Sequence, residues 1–126
     1  MKISKTFAPS NSLVFVMDSS IGEIPVSIGN ELTASTNSCV AVGTLAQMDG
    51  ETTVALTDSS DGIELEMLVF DGVLLTPARE LSVCNVEDER LLTIPVPSSE
   101  TRVRIFANDN AEPDNIIVLA TNGAKS

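Results

Sequence analysis

Apolar residues along the chain fall in short runs, many with a period of two, and the runs are closed by Gly, Pro, Asn, Asp or Ser. A period of two puts successive side chains on opposite faces of an extended strand, so the pattern predicts β-structure from end to end. In Ile63-Glu64-Leu65-Glu66-Met67 the apolar Ile63, Leu65 and Met67 are expected to face a core while Glu64 and Glu66 face water. Thr101-Arg102-Val103-Arg104-Ile105 repeats the pattern with the opposite charge, and Leu92-Thr93-Ile94-Pro95-Val96 repeats it with Thr93 and Pro95 outward. Further strands are expected over 13–17, 24–28, 39–45, 51–57, 80–84 and 116–120, about nine in all. No stretch of eleven or more residues carries a helical period, so any helix is a short connection, with 85–90 as the candidate.

The turns are legible in the same way. Asp49-Gly50, Asp61-Gly62 and Asp71-Gly72 each read as hairpin turns, because type I′ geometry needs positive φ and glycine supplies it at little cost. Consecutive strands are therefore expected to pair antiparallel. Pro25 and Pro95 fall inside strand patterns, where a missing amide hydrogen marks a sheet edge or a bulge. Many short strands joined by such turns predict an all-β fold, an antiparallel two-sheet β-sandwich of about nine strands, with a small β-barrel as the alternative. Neither repeat nor linker divides the chain, so residues 1–126 are expected to form one domain.

Composition sharpens this picture through charge. The chain carries 18 acidic and 7 basic residues for a net charge of -11, and histidine is absent. Between Lys5 and Arg79 there is no cation, whereas Asp18, Glu23, Glu31, Asp49, Glu51, Asp58, Asp61, Glu64, Glu66 and Asp71 all lie there. A field of this sign repels phosphate backbones and anionic lipid and attracts basic proteins or metal cations. The plainer reading of the same charges is solubility alone. The two cysteines, Cys39 and Cys84, lie in separate expected strands without a Cys-x-x-Cys spacing, which reads as two core thiols. The apolar run Leu13 to Met17 is too short for an export signal and no segment is long enough for a membrane span, so cytoplasmic residence is expected.

The absence of imidazole excludes Ser-His-Asp and Cys-His nucleophilic schemes and removes the commonest zinc ligand. Ser19-Ser20, Ser59-Ser60 and Ser98-Ser99 sit in expected turns, where hydroxyls serve local backbone bonds, and every lysine is near a terminus. Glu64 and Glu66 have a spacing near that of glycosidase carboxylates, but the chain has no Trp or Tyr to hold a sugar and a solvated strand face explains the pair. No enzyme activity is therefore expected. Nucleic-acid binding is disfavoured by the lack of basic stripes and stacking aromatics, and Arg102 and Arg104 are expected to pair across strands with Glu64 and Glu66. Two oxygen-rich loops, 58–64 and 108–115, offer donors suited to calcium, with Asp109, Glu112 and Asp114 as the candidate ligands. The same residue types are what turns require, and no other cofactor is implied.

From Asp71 to Ala120 the order is Gly72-Val73-Leu74-Leu75-Thr76-Pro77, Leu81-Ser82-Val83, Leu92-Thr93-Ile94-Pro95-Val96-Pro97, Arg102-Val103-Arg104-Ile105-Phe106 and Glu112-Pro113-Asp114 before the final apolar run. This segment resembles the carboxyl-terminal half of a group of small bacterial β proteins that includes the competence protein J family. The resemblance implies an inhibitor-like or immunity-like role toward a nuclease. Residues and resemblance together suggest an acidic protein-binding module that masks a basic partner through Asp58, Asp61, Glu64, Glu66 and Asp71. The competing expectations are a calcium- or small-ligand-binding sandwich and an assembly subunit whose edges are covered by a second copy.

Overall fold

The alternating pattern is realised as two stacked sheets in a computed structural model that describes residues 2–25, 32–59, 67–87 and 89–122. The described strands are β1 (Lys2–Phe7), β2 (Leu13–Met17), β3 (Thr33–Ser35), β4 (Cys39–Gly43), β5 (Thr52–Thr57), β6 (Met67–Leu75), β7 (Glu80–Cys84), β8 (Arg90–Pro95), β9 (Glu100–Ala107) and β10 (Asn115–Asn122). The first sheet has the order β1-β5-β10-β9-β6 and the second β3-β4-β2-β7-β8. Every neighbouring pair is antiparallel except β5 with β10, which runs parallel and joins the middle of the chain to its end. The architecture is thus an all-β two-sheet sandwich, not a closed barrel.

Inward-facing side chains alternate as the sequence implies. Val103 and Ile105 of β9 and Ile116 and Val118 of β10 in the first sheet meet Val14 and Val16 of β2, Val40 and Val42 of β4, and Leu92 and Ile94 of β8 in the second. Runs that look uniformly apolar have a separate cause: both of their faces are buried. Phe15, Met17, Cys39, Ala41 and Cys84 form a second apolar cluster on the outer face of the second sheet. The connection leaving β2 is held over this cluster, since the Glu23 amide donates to Ser38 Oγ and Thr36 Oγ1 donates to the Glu23 carbonyl. Gly22 makes that approach feasible, because a Cβ there would sit 2.1 Å from the Met17 sulfur. A third cluster, Ala55, Phe106, Ile117 and Leu119, lies on the outer face of the first sheet.

Several local readings differ from this arrangement. Asp71-Gly72 is not a turn but the middle of β6, and Gly72 serves there to let the Phe70 ring lie along the strand, 2.8 Å from where a Cβ would stand. Asp49-Gly50 does not close a hairpin, because β4 and β5 belong to different sheets; Gly50 takes φ 142° at the crossing. Among the described residues of 85–90 there is no helix: Asn85 Oδ1 accepts from the Glu87 and Glu89 amides on the way into β8. Met67 is half exposed rather than core-facing, while Asp61-Gly62 and residues 63–66 lie outside the described residues. Of the expected strand 24–28, Ile24 and Pro25 are irregular and 26–28 are outside the described residues. Pro95 does end an edge strand, where no neighbour needs its missing amide hydrogen.

Candidate partner-binding surface

Of the acidic residues expected to bind a partner, Asp58 and Asp71 are described, and they do not lie on neighbouring strands. Asp58 follows β5 and Asp71 lies in β6, with β10 and β9 between these strands, so three inter-strand steps, about 14 Å, separate them across the sheet. Asp61, Glu64 and Glu66 are outside the described residues. Asp58 is exposed and a hydrogen bond to its carboxylate holds it below the ordinary carboxylate range. Asp71 is engaged by Arg102 in a two-pronged ion pair, with Nε at 3.0 Å and Nη2 at 2.8 Å. These bonds, helped by Arg102 and Arg104 as nearby charges, hold Asp71 below its ordinary value. The carboxylate that Arg102 takes is therefore Asp71, which lies within β6 and not in the turn that Asp71-Gly72 predicts. Arg104 faces Asp71 in the strand register, and its Nε is buried with no hydrogen-bond partner among the described residues.

A different concentration of charge is assembled by the topology. The loop between β9 and β10 carries Asp109, Glu112 and Asp114, and its Pro113 and Asp114 carbonyls accept from the Leu45 and Thr53 amides. Those bonds bring the loop against the β4–β5 connection, which carries Asp49 and Glu51. All five side chains are exposed and none forms an ion pair among the described residues. One end of the sandwich is thus an acidic pole, built from two segments 60 residues apart in the chain; only half of it was legible as a motif. Asp49 and Glu51 carry no local sign of this role, because only the parallel β5–β10 pairing sets them beside the loop.

The loop's polar groups are largely spent on its own shape. Asp109 Oδ2 accepts from the Ala111 and Glu112 amides, at 3.1 and 2.7 Å, and the Glu112 bond first, then that from Ala111, lowers the Asp109 carboxyl below its ordinary value. Asn108 Oδ1 accepts from the Asp114 and Asn115 amides, and its Nδ2 donates to Asp114 Oδ1. Among the described residues no three Asp, Glu or Cys side chains converge as a metal site would require. Turn bonds thus engage Asp109 Oδ2, Asn108 Oδ1 and Asp114 Oδ1.

Two other groups stand apart from the surface. Asp18, counted among the ten anions, is only 1% exposed and accepts from the Ser20 amide, Ser20 Oγ and the Ala78 amide. It ties the end of β2 to the turn before β7 and adds nothing to the surface field. Cys39 and Cys84 are buried thiols on the strands either side of β2, and burial, with Cys84 nearby, pushes the Cys39 thiol up to about 12. No described helix is long and apolar enough to cross a membrane.

No known sequence family matches the chain, and no curated protein sequence does either. A solved structure does share its fold. The chain is similar to ComJ, inhibitor of the DNA degrading activity of NucA, from Bacillus subtilis, with a TM-score of 0.69, 12% identity and coverage of 95% of both chains. The correspondence extends the resemblance of residues 71–120 to nearly the whole sandwich. A second structure, described as crocagin biosynthetic gene J, matches with a TM-score of 0.48 and 13% identity over 94% of both chains.

Proposed function

We propose that this chain is a protein-binding module of inhibitor type, acting by docking on a basic protein, such as a nuclease, and masking it. The carrying observation is the acidic pole: Asp49, Glu51, Asp109, Glu112 and Asp114 stand exposed, and without ion pairs among the described residues, at one end of the sandwich. Exposed carboxylates in high dielectric contribute little to the stability of their own chain, yet together they steer a cationic partner and favour its Lys and Arg side chains. The net charge of -11 acts in the same sense and the lack of histidine argues for binding over catalysis. The sandwich shared with ComJ, which inhibits a nuclease, supports this class of role. Two buried thiols that are not joined in a disulfide agree with action in the cytoplasm.

The test is an affinity capture from bacterial lysate with the wild-type chain and with a variant carrying Asp49→Asn, Glu51→Gln, Asp109→Asn, Glu112→Gln and Asp114→Asn. A basic protein held at 50 mM salt, released near 500 mM and not retained by the variant is the expected result. Equal retention by both chains would refute the reading.

A further inference from the structure

Among the described strands each sheet has two outer ones, and natural sheets protect such edges because their unpaired amides and carbonyls invite another chain. Three of the four carry ordinary protection. β1 presents Lys2 and Lys5, β3 is only three residues long, and β8 ends in Pro95. β6 has no lysine, no proline and nine residues. It also carries four of the seven exposed large apolar side chains among the described residues: Met67 at 47%, Leu68 at 51%, Val73 at 45% and Leu75 at 37%.

The direction of its main-chain groups follows from two bonds. The Thr76 amide donates to the Ser99 carbonyl, on the β9 side, and the Leu75 amide donates to the Asn37 carbonyl, away from β9. Groups alternate along a strand, so Gly72 and Leu74 bond to β9 whereas Asp71 and Val73 point their N–H and C=O out of the sheet. The stretch is bounded by the irregularity between Leu68 and Phe70 on one side and by Asn37 on the other. Val73 and Leu75 also lie on the outer face with Asp71, whose charge is matched by Arg102.

We propose that β6 is a strand-addition edge that receives a short extended segment of a cationic protein, apolar at the alternate positions opposite Val73 and Leu75. This deepens the reading above and rests on it. Charge selects the occupant. The start of β6 is level with Ala107 of β9, so the edge begins beside the acidic pole at 108–115, where cationic residues flanking the segment would be held. A second copy is disfavoured, because it would bring the same net charge of -11 and the same acidic pole against their like. The segment's own centre is apolar because Asp71 already has its guanidinium.

The probe is a blocked decapeptide alternating Lys and Val, with a Thr-Val peptide of equal length as the uncharged control, read by fluorescence polarisation on the full chain. The test variant is Val73→Pro, which removes an amide hydrogen that β9 does not use; Val73→Lys is the second, and thermal melting verifies the fold of each. Saturable binding of the Lys-Val peptide that weakens tenfold or more in the folded variants, with weaker binding of the Thr-Val peptide, is expected. Unchanged, salt-sensitive binding in both variants would overturn the edge and leave the acidic pole standing. Equal affinity for the two peptides, lost in the variants, would keep the edge and overturn the cationic occupant, and with it the basic-partner reading. Failure of both peptides to bind, or a wild-type dimer in sedimentation that Val73→Lys makes monomeric, would overturn the proposal.

Discussion

Replacing Asp18 tests whether a carboxylate that the sequence presents as surface charge is in fact part of the framework. Its side chain accepts three hydrogen bonds at 2.7 to 2.9 Å, and the one from Ala78 spans 60 residues of sequence. Bonds to a charged acceptor contribute about 1.5 to 3 kcal/mol each. The two from Ser20 are local, and water can replace much of them once the side chain is gone. The Ala78 bond has no local substitute and fixes the turn between β6 and β7. Asp18→Ala should therefore cost about 3 kcal/mol, and Asp18→Asn, which keeps one acceptor, about half of that. For a chain of this length that corresponds to a fall in Tm of roughly 10 °C for the alanine variant. Urea unfolding measures it directly, with the slope of the transition expected to stay constant. An alanine variant within about 0.5 kcal/mol of wild type, the range of ordinary surface substitutions, would refute the argument.

Other outcomes follow from single contacts. Gly22→Ala places a methyl 2.1 Å from the Met17 sulfur and 2.9 Å from its Cγ, so Met17 must leave its rotamer, and a loss of about 1 to 2 kcal/mol is expected in the same unfolding assay. The Cys39 thiol titrates at about 12 in the folded chain against 9.0 unfolded, so its contribution to stability is intact below pH 9 and is lost as the pH rises toward 12; the fall in urea midpoint over that window should be shallower in Cys39→Ala. At pH 8 the same thiol should resist alkylation until the chain is unfolded, and rapid labelling of Cys39 in the native state would contradict its burial. In Arg102→Gln the Asp71 carboxyl should titrate closer to its ordinary value, a shift that carbon-detected NMR resolves; an unmoved midpoint would show that the ion pair is not what lowers it.

Sequence reasoning reached those parts of the fold whose signal is local. β8 and β9 alternate one face in and one face out, so Ile94, Val103 and Ile105 were identifiable as core and Pro95 as an edge. β2 and β4 were found as runs, although their burial on both faces hid the alternation. What escaped was decided by distant pairing. β1 is polar at Lys2, Ser4, Lys5 and Thr6 and becomes a strand because β5 offers it an edge. Asp71-Gly72 has hairpin chemistry, yet Arg102 and Phe70 give both residues reasons to stay extended. The acidic pole escaped in the same way, since the register of Asn115 with Thr53 sets the loop at the start of β5.

The acidic pole and the β6 edge should be separable by kinetics, because the physical effects assigned to them act at different stages of binding. Exposed carboxylates act over roughly a Debye length, about 8 Å at physiological salt, and so raise the frequency of productive encounters. Main-chain bonds and apolar contacts at Asp71, Val73 and Leu75 exist only after docking, so their loss should appear in the dissociation rate. Neutralising Asp49, Glu51, Asp109, Glu112 and Asp114 should slow association tenfold or more at low salt, flatten its salt dependence and change dissociation little. Val73→Thr keeps the side-chain shape, removes the apolar contact and should hasten dissociation several-fold while leaving the salt dependence of association intact. Asp58→Asn is the control, because its exposed carboxylate already accepts a hydrogen bond and lies three strands from β6. If the charge variants instead changed dissociation and Val73→Thr changed association, the carboxylates would be in direct contact with the partner and β6 would lie outside the interface.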